Sequence, residues 1–256
     1  MALSAANTLV ALRRNIASLE AARPTSRMRH YRLDCEPAVF CIAGGSIRGA
    51  LHEIAAARES EIAAATGFAL SLAAHASGRA ILWAAEDLTC AENGAPHGPG
   101  LDRLGIMPER FLIVRAGHTR DVLWAMEEAL RCGAVGAVIG EIRGYRRDLD
   151  LTATRRLSLA AASNNSIALL LRTAPGVEPS AAATRWVIGA TPAASRAHGF
   201  GSPHIKAQLM RNRFGEPGSW MMEWNDEERN FTLAPADRKS VVQTAFNRPR
   251  RMAARA

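Results

Sequence analysis

RFLIVRAGHTRDVLWAMEEALRCGAVGAVIGEI, residues Arg110 to Ile142, is the stretch on which the reading of the fold turns. Its ends, RFLIVRA (110–116) and AVGAVIGEI (134–142), are short apolar runs of strand type. Between them, in TRDVLWAMEEALRCG, Val122, Leu123, Met126 and Leu130 fall on one face of a helix, and Gly133 supplies a stop. A strand, a covering helix and a second strand make the unit from which parallel sheets are built.

The same alternation extends in both directions. Upstream, GALHEI (49–54) and AILWAAE (80–86) read as strands, and downstream so does IALLLRTA (167–174). DLTATRRLSLAAASNNS (150–166) reads as a helix opened by a capping Asp or Thr and closed by Asn-rich polarity. Beyond the loop APGVEPSAAA come TRWVIGAT (184–191), HIKAQLMRNRF (204–214) and SWMMEWNDEERNFTL (219–233), in which Asn225-Asp226 turns a hairpin. The expected fold is therefore α/β: a mainly parallel sheet flanked by helices, followed by C-terminal antiparallel strands.

Near the start, Leu9, Leu12, Ile16 and Leu19 have amphipathic helical spacing, and Pro24 ends the pattern. Such an N-terminal helix can dock on its own core or on another subunit. The last stretch carries Arg238, Lys239, Arg248, Arg250, Arg251 and Arg255 with few apolar anchors, which reads as a frayed basic tail. The expected division is a helix and linker over 1–36, a core over 37–234 and a tail over 235–256.

With 48% apolar and 22% charged residues the chain has the composition of a globular protein, which excludes global disorder. Its net charge of +8 comes almost wholly from arginine. That suits phosphate or acidic-protein recognition through planar contacts, and is equally what GC-rich coding produces. Cys35, Cys41, Cys90 and Cys132 are scattered without CxxC spacing, so they read as reduced thiols rather than metal ligands. No apolar run approaches the ~20 residues of a membrane span, and the N-terminus lacks a secretory pattern. A cytoplasmic protein without membrane contact is expected.

After the strand ending in LHEI, an ATP-binding fold would place the phosphate loop GxxxxGK followed by Ser or Thr. Its glycines admit backbone N–H groups to the phosphates, its lysine neutralises them, and its hydroxyl holds magnesium. Here Ala56 stands at the first glycine, Glu61 at the second, Ile62 at the lysine and Ala63 at the hydroxyl. Glu59 and Glu61 add negative charge where phosphates would sit, leaving Arg58 as the local cation. No nucleotide or other cofactor, and no metal, is expected at this loop.

The order of segments resembles RecA, and more closely the ImuA family of damage-inducible mutagenesis proteins. The resemblance runs from Gly49 to Leu233 and rests on LHEI, ILWAAED, AVGAVIGEI, RRLSLAAASNNSIALLLRTA and, most specifically, LMRNRFGEPGSWMMEWNDEERNFTL. It implies a RecA-like core. Glu86 falls on the glutamate that activates water in RecA, Glu141 takes the place of the magnesium-associated aspartate, and Thr173 that of a phosphate-sensing glutamine. Without the loop's lysine and hydroxyl, Glu86 and Glu141 read as vestiges or helix caps. His52 and Asp87 read as fold residues, and Trp220 and Trp224 as hairpin side chains filling core space.

The resemblance also implies function: a non-catalytic accessory protein of SOS-induced translesion synthesis, binding ImuB, an error-prone DNA polymerase III alpha-type subunit and RecA. Any DNA contact would be indirect or weak. Its candidates, like those for partner contact, are Arg143, Tyr145, Arg146 and Arg147 in RGYRRDLD, where an aromatic stands among cations, and Arg248, Arg250 and Arg251 in the tail. The alternatives are a SulA-like cell-division inhibitor, which the FGEPGSWMMEW block argues against, and a DNA-dependent ATPase, which the loop argues against.

Overall fold

A computed structural model describes residues 47–76, 78–176, 178–192 and 201–234. The N-terminal helix, and the tail with Arg248, Arg250 and Arg251, lie outside these residues. In chain order the described elements are β1 (Ala50–Ala56), α1 (Ile62–Ala73), β2 (Ala80–Glu86), α2 (Asp87–Asn93), α3 (Gly98–Arg103) and β3 (Phe111–Ala116). They continue with α4 (Thr119–Arg131), β4 (Val135–Ile142), α5 (Leu151–Asn164), β5 (Ile167–Arg172) and β6 (Thr184–Thr191). The chain then closes with β7 (His204–Asn212), β8 (Gly218–Asn225) and β9 (Asn230–Leu233).

The strands form one sheet in the order β3-β2-β4-β5-β1-β6-β7-β8-β9. The first six are parallel neighbours, and β6 through β9 pair antiparallel. The central strands are apolar at almost every position because both their faces are covered. Along β5, Ile167, Leu169 and Leu171 enter the core that holds Phe68 and Leu72 of α1, whereas Ala168 and Leu170 enter the one that holds Met126 of α4 and Leu157 of α5. This is the mixed α/β architecture expected, and it is compatible with a RecA-like core.

Two helix ends show how local chemistry fixes the elements. Asp150 caps α5, its side chain accepting a hydrogen bond of 2.7 Å from the Ala153 amide, and Asn165 ends the helix in a left-handed conformation at φ 50. Replacing Asp150 with Ala is expected to cost about 1 kcal/mol in urea denaturation, whereas Asn would retain most of the cap. In α4 the stop falls at Cys132, whose backbone is extended, and not through a left-handed Gly133.

The antiparallel wing is held to the parallel part by aromatic packing. Trp186 of β6 lies with its ring centroid 5.7 Å from that of Phe68 and 6.0 Å from that of Trp220. Trp224 meets Phe231 edge-on at 5.2 Å. The β8–β9 hairpin turns at Asn225-Asp226 as expected. Asn225 Oδ1 accepts the amides of Glu227 and Glu228, and Arg229 takes a positive φ of 49.

Buried His52 ties this seam together from β1. Its Nε2 lies 2.9 Å from the carbonyl of Ile47, which can only accept, so the neutral ring carries its proton there. Nδ1 then accepts from the Thr184 hydroxyl at 2.8 Å, and Thr184 Oγ1 accepts from Trp186 Nε1 at 2.9 Å. Burial, partly opposed by the Ile47 carbonyl, lowers the His52 pKa to about 4. The unfolded chain therefore takes up this proton first, so stability is full above pH 6.5 and falls as pH drops from there toward 4. The expected loss is roughly 3 kcal/mol. Urea titrations across that range should show a steeper decline for the natural protein than for His52→Gln; parallel curves would contradict it.

Candidate functional site

In open α/β sheets, ligands bind outside the carboxyl ends of the parallel strands. That edge collects the ends of β1, β2, β4 and β5, and all of the described residues singled out by the phosphate-loop comparison lie along it.

β1 continues two residues past LHEI, so Ala55 and Ala56 belong to the strand and not to a loop. Ala56 pairs with Ile188 and is fully buried, and the Ala57 amide donates to the Ile188 carbonyl at 2.8 Å. One tight turn, Glu59–Glu61, then leads into α1 at Ile62. The connection contains no glycine, and Ile62 packs partly buried against the core. Glu59 and Glu61 place carboxylates just ahead of a helix N-terminus, where the helix dipole favours negative charge. Both are paired: Glu61 accepts from Arg58 at 2.6 Å, which holds its carboxyl below the usual range, and Glu59 Oε1 accepts from Arg143 at 2.7 and 2.9 Å.

At the end of β2, Glu86 is buried to 7% exposure. Arg146 donates to both of its oxygens, at 3.1 and 3.3 Å, and the Thr119 hydroxyl at the start of α4 donates to Oε1. Burial works against the charge, but Arg146 and Thr119 outweigh it and hold the carboxyl below the usual carboxylate range. Thr119 Oγ1 in turn accepts from Arg146 at 3.1 Å. Its neighbour Asp87 is exposed and pairs with Arg115 at 3.0 Å.

Glu141, near the end of β4, is 1% exposed and accepts from Asn93 of α2 at 2.8 Å. Burial pushes its pKa up, with the Asn93 bond opposing. Thr173 accepts from the Gly144 amide at 3.3 Å. Buried Arg172 reaches the Gly144 carbonyl at 3.2 Å and Glu178 at 3.1 Å. Among the described residues no three His, Cys, Asp or Glu side chains converge to hold a metal ion.

The loop RGYRRDLD thus divides. Arg143 and Arg146 fold back onto the acids of the edge, with Arg143 also paired to Glu92 of α2. Tyr145, at 66% exposure, and Arg147 face solvent. Ala56, Glu61, Ile62, Ala63, Glu86, Glu141, Arg143 and Arg146 therefore share one edge. Glu92, Asn93 and Thr119 belong to it too and escaped the sequence reading: α2 lacks apolar periodicity, and a threonine opening a helix is ordinarily only a cap. No pattern in the sequence pairs them with residues dozens of positions away.

The fold and this edge define a mixed α/β domain compatible with the RecA architecture, with alanine, isoleucine and paired glutamates between β1 and the body of α1. No family model matches the sequence. Over 207 residues, 73% of this chain and 81% of the relative, the sequence is 31% identical to Protein ImuA of Caulobacter vibrioides strain NA1000 / CB15N. Protein ImuA of Caulobacter vibrioides strain ATCC 19089 / CIP 103742 / CB 15 matches to the same extent. The chain belongs to the ImuA family. Among the described residues no helix is long and apolar enough to cross a membrane.

Proposed function

We propose that this protein is a non-catalytic accessory component of damage-inducible mutagenesis, acting in the cytoplasm by binding proteins of translesion synthesis. Membership of the ImuA family carries the reading, and the edge supports its non-catalytic part. The acid that would activate water, Glu86, is engaged by Arg146 and Thr119. The positions that would hold phosphate and magnesium are Ile62 and Ala63, with the Glu59 and Glu61 carboxylates beside them. Organising a magnesium nucleotide there would bring its phosphates against fixed anions, without a lysine to neutralise them.

The partners we infer are ImuB, an error-prone polymerase III alpha-type subunit and RecA. Tyr145 and Arg147 on the described surface, and Arg248, Arg250 and Arg251 in the tail, are the contact candidates for those proteins or, weakly, for DNA. The N-terminal segment 1–36 and the tail 235–256 flank the core as separate parts in this reading. Affinity capture from DNA-damaged cells tests it: ImuB and RecA should co-purify with the full chain, and the charge-removing variant Arg147→Gln with Tyr145→Ala should capture less. Absence of both proteins from the captured material would count against the assignment.

A further inference from the structure

Four consecutive residues, Arg143 to Arg146, are tied to five other parts of the fold. Arg143 reaches Glu59 ahead of α1 and Glu92 of α2. The Gly144 amide donates to Thr173, and its carbonyl accepts from Arg172, both at the end of β5. Arg146 reaches Glu86 at the end of β2 and Thr119 at the start of α4. Gly144 makes the bend at φ 61, a conformation glycine adopts without strain. Between the two anchored arginines, Tyr145 stands exposed, and Arg147 follows it into solvent.

We propose that Glu59, Glu86 and Glu92 act as a built-in counter-ion set that locks this strap, so that Tyr145 and Arg147 are presented permanently and without any nucleotide. A connection this exposed and this rich in cations would ordinarily sample many conformations, because its backbone bonds compete with water and its arginines repel one another. Here Glu86 at the end of β2, Glu59 ahead of α1 and Glu92 of α2 supply the neutralising charge that a bound anion would otherwise bring. The pairs differ in weight: Glu86 has its side chain 9% exposed and is engaged through both oxygens, whereas Glu59, at 60%, is screened by solvent. Glu86 is therefore the principal positioning residue and Glu59 with Glu92 the secondary one. The inference rests on the reading that this edge takes no nucleotide.

Hydrogen–deuterium exchange on the full chain tests both parts separately. The amides of Gly144 and Leu149, which donate to Thr173 and to the Arg146 carbonyl, should exchange about tenfold faster in Glu86→Gln and in Arg146→Gln, with β4 and β5 unchanged, because one charge-assisted set of bonds is lost in either case. The double variant should exchange more slowly than the product of the two single accelerations, since the singles share the Glu86–Arg146 pair. Glu59→Gln with Glu92→Gln, which removes only exposed charges, should give a smaller acceleration and serves if the buried variants fail to fold. Natural-rate exchange of the strap in Glu86→Gln, Arg146→Gln and the exposed-charge variant would overturn the lock, as would accelerations that multiply in the double variant. Millimolar magnesium and ATP should leave every arm unmoved. Slowing of the strap by ATP in the natural protein would overturn the nucleotide-free reading, while the variants still decide the lock.

Discussion

Arg185→Met is expected to destabilise the protein by roughly 3–5 kcal/mol, the range for removing one partner of a buried ion pair. Glu53 and Arg185 are register neighbours on β1 and β6, joined by a 2.7 Å bond from the guanidinium Nε to a carboxylate that is 3% exposed. The guanidinium also donates to the carbonyls of Gly176 and Glu178 at 3.3 and 2.8 Å. Without it a buried carboxylate and two carbonyls lose their donor together. Converting Glu53 to Met as well should recover a large part of the loss, because the uncompensated charge goes too. Recovery should stay incomplete, since the two carbonyls remain unpaired. Urea denaturation of the two single variants and the double one measures this. A single variant within about 1 kcal/mol of the natural protein would show that the pair contributes as little as a surface pair does.

Trp186→Ala should be comparably severe, roughly 3–5 kcal/mol, lowering the thermal midpoint by on the order of 10 °C. Its ring is fully buried where the parallel strands give way to the antiparallel wing, packed on Phe68 and Trp220, with its Nε1 bonded to Thr184. Truncation opens a cavity between α1 and the wing and also removes the donor that orders Thr184 against His52. Trp186→Phe keeps most of the volume and should lose markedly less. The wing should exchange its amides faster in Trp186→Ala while β2, β4 and β5 hold. Uniform acceleration across the sheet would instead mean that the wing and the parallel part unfold as one unit.

These two sites show what can be read from a linear sequence and what cannot. AILWAAE and TRWVIGAT have the bounds of β2 and β6: the first follows Gly78 and stops before Asp87, and the second stops before Pro192. The α4 face of Val122, Leu123, Met126 and Leu130 is buried as its spacing requires, and Asp150 caps α5. Helices α2 and α3 went unread because DLTCAEN and GPGLDR have neither length nor periodicity; they are shaped by the strands they follow. That the segment after β1 lacks the glycines, lysine and hydroxyl of GxxxxGK is readable from the sequence alone, since that pattern is local.

The pairing of charges along this edge was not legible. Arg143 and Arg146 looked like a free basic patch because the carboxylates that bind them come from positions 59, 86 and 92, brought near only by the sheet order. A charge run in sequence shows the sign of a surface but not its pairing. By the same logic Glu86, taken alone in the sequence, reads as a vestige or a helix cap, and nothing local shows that it meets Arg146 and Thr119.

Calorimetric titration of the full chain with magnesium and ATP tests the non-catalytic reading most directly. No saturable heat and no magnesium-dependent hydrolysis are predicted, because the edge is already filled with paired charges and has no lysine to receive the phosphates. Saturable binding, with hydrolysis abolished by Glu86→Gln, would contradict it and make Glu86 a catalytic residue after all.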